Sequence, residues 1–324
     1  MIEKQSSTIK GWQQWLAKKC PSYMPVVTKL AVAIEAQGLS IAQIKYPAKK
    51  PVLGFCEYLA NYSNQIEKLK KILQSHKIKA KACYLVLGPT LYHSFLIERP
   101  AVGDKELRPA ISWRVIEYID QNPESLLIDY IEMPMREQSH SKQMLLVVVV
   151  QKALIEEKLN LLNKLKLKPV AIDVAGLALR NLIHQLPVKH NSQAILKIDA
   201  TQCQLVIVRN GMTLLLRDLE ISHFAIVQGF KDPASNGIQK LALEIQRSLD
   251  YCSTYIMDAS RANIIILPEP EFDSALIDNL AQVLGMPVNF FNQAAIISEQ
   301  SAQALPVDLA HCWYAIGGAL RGSK

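Results

Sequence analysis

Two carboxylates in this chain are placed for chemistry. Asp199 ends the apolar run 195–198, and Glu35 ends the apolar run 30–34; each is followed by a short polar turn and a second apolar run. An acid in that position either hydrogen-bonds the N–H groups of its own turn or presents oxygens to a cation. Other chemistries are poorly served. No Ser/His/Asp, Cys/His or Walker-type arrangement is present, and the seven histidines form no ligand-spaced cluster. The six cysteines are scattered, make no C-x-x-C pair and sit mostly among apolar residues, as the buried thiols of a reducing compartment do.

The elements that must position these acids are readable from pattern. After Asp199 come the run 205–208, the pair Asn210-Gly211, which suits a tight hairpin, and the run 212–216. The stretch 30–44 is a weaker copy of the same unit, so the chain reads as an internally duplicated, two-lobed fold. Between and beyond the copies, helices are expected over 57–75, 104–120, 151–165, 175–183, 239–256, 273–284 and 310–321. Strands are expected over 82–87, 93–97, 126–131, 144–150, 169–174, 263–267 and 287–291. Strands alternating with helices, with a hairpin opening each unit, define an α/β fold with mixed sheets. The polar stretch 186–193 is the expected lobe boundary.

With 324 residues, half of them hydrophobic, the chain is long enough for a large core. Its net charge of +7 is concentrated in Lys68, Lys70, Lys71, Lys77, Lys79 and Lys81. A solvated helix face explains that run, and with no accompanying motif the expected partners include no nucleic acid. No secretory signal opens the chain and no window approaches the ~20 apolar residues of a membrane span, so a cytoplasmic protein is expected. Residues 1–29 carry Trp12, Trp15 and Leu16 between lysines. They form a tail whose amphipathic helix either touches a membrane surface or docks on the protein itself.

Several segments, in order, carry a family resemblance: ELRPAISWRVIEYI at 106–119, LLIDY at 126–130, VVVVQKALIEEKLNLLNKLKLKPVAIDVAGLAL at 147–179, LALEIQRSLDYCST at 241–254 and AIGGALRG at 315–322. Together they resemble the PilM family, actin-like cytoplasmic proteins of type IV pilus assembly, and most nearly the members that serve mannose-sensitive haemagglutinin (MSHA) pili. The resemblance implies an actin-like (ribonuclease H-like) fold of two lobes with an inserted subdomain in the first. It divides the chain into a first lobe over 30–187 with an insertion at about 98–150, a second lobe over 190–309, and a C-terminal helix over 310–324 that returns to the first lobe. It also implies a nucleotide cleft between the lobes, and a PilN-like inner-membrane protein as partner, held through its cytoplasmic N-terminal segment. The protein would then sit at the inner membrane peripherally, through its partners.

Carried over residue by residue, the implied nucleotide-site positions are Glu35, Gly38, Asp199, Thr201 and Gly317. Asp199 is retained and Thr201 is compatible, but their surroundings depart from the family pattern. The first turn has Glu35-Ala36-Gln37-Gly38 where an Asp, a glycine and small hydroxyls would be usual. At the second, Ala200 stands where glycine would let the backbone wrap a phosphate. The loop after 263–267 reads Pro268-Glu269-Pro270-Glu271-Phe272 in place of a glycine-rich adenosine turn: the prolines remove N–H donors and the acids repel a polyphosphate. Gly317-Gly318 reads as close helix packing. The expectation is therefore a non-enzymatic scaffold with a degenerate site and no cofactor. The alternatives are a PilM-like protein that binds ATP and Mg²⁺ with little turnover, and the cytoplasmic actin-like module of a type II secretion protein. For partner contact, the helix over 106–119 offers Trp113, Arg114, Glu117 and Tyr118.

Overall fold

The structure, a computed structural model, describes residues 28–46, 51–62, 65–76, 78, 82–119, 121–134, 143–187, 192–269, 271–296 and 309–322. The tail with Trp12 and Trp15, the residues Lys77, Lys79 and Lys81, and Pro270 lie outside them. Among the described residues no helix is long and apolar enough to cross a membrane.

The first sheet contains β1 (Thr28–Ile34), β2 (Gly38–Lys45), β3 (Val52–Ala60), β4 (Ala82–Leu87) and β8 (Lys168–Val174), in the order β3-β2-β1-β4-β8. The second contains β9 (Gln193–Ile198), β10 (Cys203–Arg209), β11 (Met212–Leu219), β12 (Asn263–Ile266) and β13 (Val288–Phe290), in the order β11-β10-β9-β12-β13. The two orders are the same order. β1 is antiparallel to β2 and parallel to β4, and β9 is antiparallel to β10 and parallel to β12. The pair of acid-and-turn units is thus the trace of one architecture used twice, each time with two hairpins and then a crossover to a parallel strand.

Between β4 and β8 the chain inserts a subdomain: β5 (His93–Glu98), α2 (Asp104–Ile116), β6 (Leu126–Glu132) and β7 (Met144–Gln151), forming a sheet of order β5-β7-β6. Strand β7 is apolar at nearly every position because both of its faces are covered. Leu145, Val147 and Val149 join Leu107, Ile111 and Val115 of α2 in a separate small core, whereas Leu146, Val148 and Val150 face the main one.

The remaining helices are α1 (Ile66–Ser75), α3 (Lys152–Lys164), α4 (Ala175–Ile183), α5 (His223–Lys231), α6 (Gly237–Tyr255), α7 (Ser274–Leu284) and α8 (Trp313–Ala319). Helix α7 has the ends its sequence predicts: Asp273 Oδ1 accepts from Leu276 N at 2.9 Å, and Gly285 closes it at φ +64°. One expected helix is shorter than its periodicity suggested. Residues 57–60 belong to β3, paired antiparallel with β2 from Gly38↔Ala60 onward, and Asn61 at φ +50° turns the chain before α1 begins. Tyr58 therefore points from a strand, and tertiary pairing has overridden local pattern.

Helices α4 and α8 bind the halves together. Every residue of α8 is buried, and the helix packs on β1, β2 and β4 of the first sheet and on α4. Helix α4 in turn meets β10 of the second sheet, where Leu216 of β11 fills the space a Cβ on Gly176 would need. The α4–α8 crossing is close because Gly317 has no side chain: a Cβ there would stand 2.2 Å from the Ala178 carbonyl oxygen. Asn181 Nδ2 donates to the Gly317 carbonyl across the same crossing at 3.0 Å. Gly317→Ala should therefore force the helices apart and lower stability by about 1–3 kcal/mol, read as a fall in Tm; an unchanged Tm would show that the crossing tolerates the methyl group.

Candidate functional site

The two acidic turns are built alike. Glu35 N donates to the Gly38 carbonyl at 2.8 Å, and Asp199 N donates to the Gln202 carbonyl at 2.8 Å. Both turns end the central strand of their sheet, β1 and β9, at the edge facing the boundary between lobes. The tips, Ala36-Gln37 and Ala200-Thr201, are exposed, and Thr201 lies at that exposed tip. Gly38 leaves room for a ring: a Cβ there would overlap the Tyr58 hydroxyl, which lies against the turn while Tyr58 stacks on His311 with centroids 4.3 Å apart.

Glu35 is pressed against Gly88, whose absent side chain makes the fit possible. Its Oε1 is buried and has no hydrogen-bond partner. Burial pushes its carboxyl up to about 7; Lys197 opposes the shift and Asp199 adds to it. Near neutral pH this carboxyl is poised between its charged and neutral forms.

Sequence reasoning passed over the residue at the centre of the site. Lys197, two positions before Asp199 and on the same face of β9, is only 1% exposed. Its Nζ donates to Asp199 Oδ1 and lies 4.9 Å from the centroid of the Tyr314 ring. Tyr314, from α8, donates its hydroxyl to Asp199 Oδ2 at 3.1 Å. Burial alone would lower the Lys197 pKa, but Asp199, Glu269 and Glu35 together lift it above the ordinary lysine value, so the ammonium is charged. Each oxygen of Asp199 thus has a donor, and a positive charge sits between the two acidic turns.

The loop after β12 closes the other side. Glu269 acts on Lys197, Glu271 lies 4.0 Å from His223, and His223 stacks on Phe272 with centroids 5.0 Å apart. Among the described residues no group of three or more His, Cys, Asp or Glu is placed to hold a metal ion. These residues do not fit a divalent cation: the Asp199 oxygens are engaged by Lys197 and Tyr314, and Glu35 titrates near neutrality.

The residues read for partner contact lie elsewhere: Trp113 and Arg114 in the last turn of α2, and Glu117 and Tyr118 in the turn that follows it. Trp113 is 74% exposed and Tyr118 54%. Arg114 and Glu117 pair loosely at 3.8 Å. Tyr118, just past the helix, stacks on Phe95 of β5, an edge strand of the inserted sheet, with centroids 5.3 Å apart. The buried face of α2 is supplied by Leu107, Ile111 and Val115, which leaves these four free of the core.

Two duplicated sheets with an insertion in the first half define an actin-like fold, and comparison with solved structures agrees. A PilM–PilN type IV pilus biogenesis complex superposes with a TM-score of 0.67 at 19% identity, covering 93% of this chain and all of that chain. The cytoplasmic domain of EpsL, an inner-membrane component of the type II secretion system of Vibrio cholerae, superposes at 0.49 and 12% identity, over 90% of this chain and 94% of that one. Bacteroides thetaiotaomicron supplies a protein with an actin-like ATPase fold at 0.49 and 10% identity, over 89% and 95%. Identities this low speak to the fold. No curated protein sequence matches the chain significantly. The family described as type IV pilus assembly protein PilM matches residues 57–230, and the chain belongs to that family.

The titration of Glu35 gives a signed prediction. Its folded pKa of about 7 lies above the ordinary 4.5, so the folded state holds the proton more tightly. The stability this contributes is fully present below the unfolded value and is lost as pH rises through about 7. A gap of that size corresponds to a few kcal/mol, roughly 1.4 per unit. Glu35→Gln, which cannot ionise, should raise Tm near pH 8 and have little effect near pH 5. Thermal melts at both pH values check this, and equal shifts at the two would contradict it.

Proposed function

We propose that this chain is a cytoplasmic actin-like scaffold of a type IV pilus assembly machine. It binds the cytoplasmic N-terminal segment of a PilN-like inner-membrane protein and is peripheral at that membrane through this partner. The observation that carries the reading is the exposed aromatic surface on the inserted subdomain of a PilM-family chain. An indole standing 74% in solvent, on a subdomain that also exposes Tyr118 and Arg114, has the composition of an interface centre, where Trp, Tyr and Arg dominate binding energy. The solved PilM relative, with the same fold, is a complex with PilN.

The finer reading is an MshI-type protein, serving the MSHA pilus; it rests on the ordered segments quoted above, from 106–119 through 315–322. The cleft is read as a degenerate nucleotide site with no catalytic role. Supporting this are the two acids at Glu269 and Glu271, Ala200 and Ala36 at the turns, and Asp199 already bonded within the chain. The tail over 1–29, with Trp12, Trp15 and Leu16 between lysines, either touches the membrane surface or docks on the protein itself.

A pull-down with the N-terminal peptide encoded by the neighbouring pilus gene tests the assignment. The full chain should retain the peptide, and Trp113→Ala should weaken retention by about tenfold or more, the loss expected of an interface centre. An Arg114→Ala/Glu117→Ala variant should weaken it less. Full retention by both variants would remove the surface assignment, and no retention by the unaltered chain would remove the scaffold reading.

A further inference from the structure

We propose that Lys197 is the resident cation of the interlobe cleft: its ammonium stands in for an added metal ion between the two acidic turns and fastens the second lobe to the C-terminal helix of the first. Closure of the lobes is then set by the chain itself, without nucleotide or divalent metal. The proposal rests on the reading above only in taking the cleft as one that nucleotide does not fill.

Four observations converge on it. Lys197 is a fully buried lysine in a strand whose other residues are also fully buried. Removing an ammonium from water costs several kcal/mol even after the protein relaxes, so such a charge is kept only where close partners offset the loss. Its partners come from both lobes. Asp199 lies in the second, while Tyr314 lies on α8, which packs on β1, β2 and β4 of the first. Asp199 is the shared node, taking the ammonium on one oxygen and the tyrosine hydroxyl on the other. Glu35, from the first lobe, feels both charges.

The fourth observation is an asymmetry inside the duplication. Ala33 occupies the place in β1 that Lys197 occupies in β9, two residues before the acid. A single ammonium therefore serves both acidic turns, which without it would repel one another across the boundary. Other contacts cross the same boundary and are neutral: Gln204 Nε2 donates to the Tyr92 hydroxyl at 3.0 Å, and Leu216 packs on Gly176. Among the described residues the lysine thus supplies the positive charge that the acids of this seam, Glu35 and Asp199, share.

Spin labels on Lys71→Cys of the first lobe and Lys240→Cys of the second, in a Cys20→Ser background, read the interlobe distance by pulsed electron paramagnetic resonance. Both label sites are exposed, and the five other cysteines are buried. The parent should give one narrow distance that is identical in EDTA and in saturating Mg-ATP. Lys197→Met should broaden it and shift it to longer separation, and adding Glu35→Gln with Asp199→Asn should narrow it again by removing the uncompensated charges. Should Lys197→Met not accumulate as folded protein, Tyr314→Phe and Lys197→Arg carry the test: the first should broaden the distance and the second preserve it. A parent distance that moves with Mg-ATP overturns the proposal, as does a parent-like distribution in Lys197→Met or Tyr314→Phe. Loss of peptide capture would leave every one of these distances unchanged, so the two readings fail separately.

Discussion

A charge buried between two others of opposite sign constrains this structure more than any single apolar contact. Lys197 can stay ionised inside the protein only if Asp199 lies within hydrogen-bond reach and an aromatic face covers the far side. Meeting that demand fixes where α8 must run, because Tyr314 supplies both the covering ring and the second donor to Asp199. Helix α8 reaches that position only by crossing α4 at a distance that admits no side chain at residue 317. The helix crossing, the glycine and the buried ion pair are thus one solution to one electrostatic problem.

The duplicated topology explains why the problem arises. Each half ends its central strand in an acidic turn, and in the joined molecule Glu35 feels the charges of Asp199 and Lys197. A pair of carboxylates at such a junction needs a cation or a proton. This chain uses both: a lysine bonded to Asp199, and a pKa near neutrality at Glu35. The inserted subdomain is independent of this arrangement. It has its own small core, and the exposed Trp113 lies on the side of α2 away from Leu107, Ile111 and Val115. The surface proposed for recognition and the ion pair proposed for closure thereby lie on separate parts of the molecule.

Most of the architecture was legible in the sequence, because strand-length apolar runs and helix-period patterns survive translation into structure. The exception at 57–60 shows the limit. Tyr58 and Tyr62 fit a helical stripe, yet hairpin pairing with β2 claims the first of them. The site was legible only in its acids. Lys197 interrupts an apolar run and reads as an edge defect, since lysines in strands usually snorkel to solvent. What buries it is Tyr314, 117 residues away along the chain by subtraction of the two residue numbers, and no local pattern reports a contact at that range. Trp113 has the same ambiguity in reverse: an indole on an amphipathic helix reads as core or as surface, and the register of Leu107, Ile111 and Val115 against β7 decides for surface.

On the proposed reading the cleft is completed by Lys197, the chain's own cation, and takes no metal-bound nucleotide. Calorimetric titration of Mg-ATP into this chain decides between the two readings of the cleft. The account predicts no saturable heat for the parent chain. Saturable micromolar binding that Asp199→Ala abolishes would contradict it, and would return the two acidic turns to a nucleotide site.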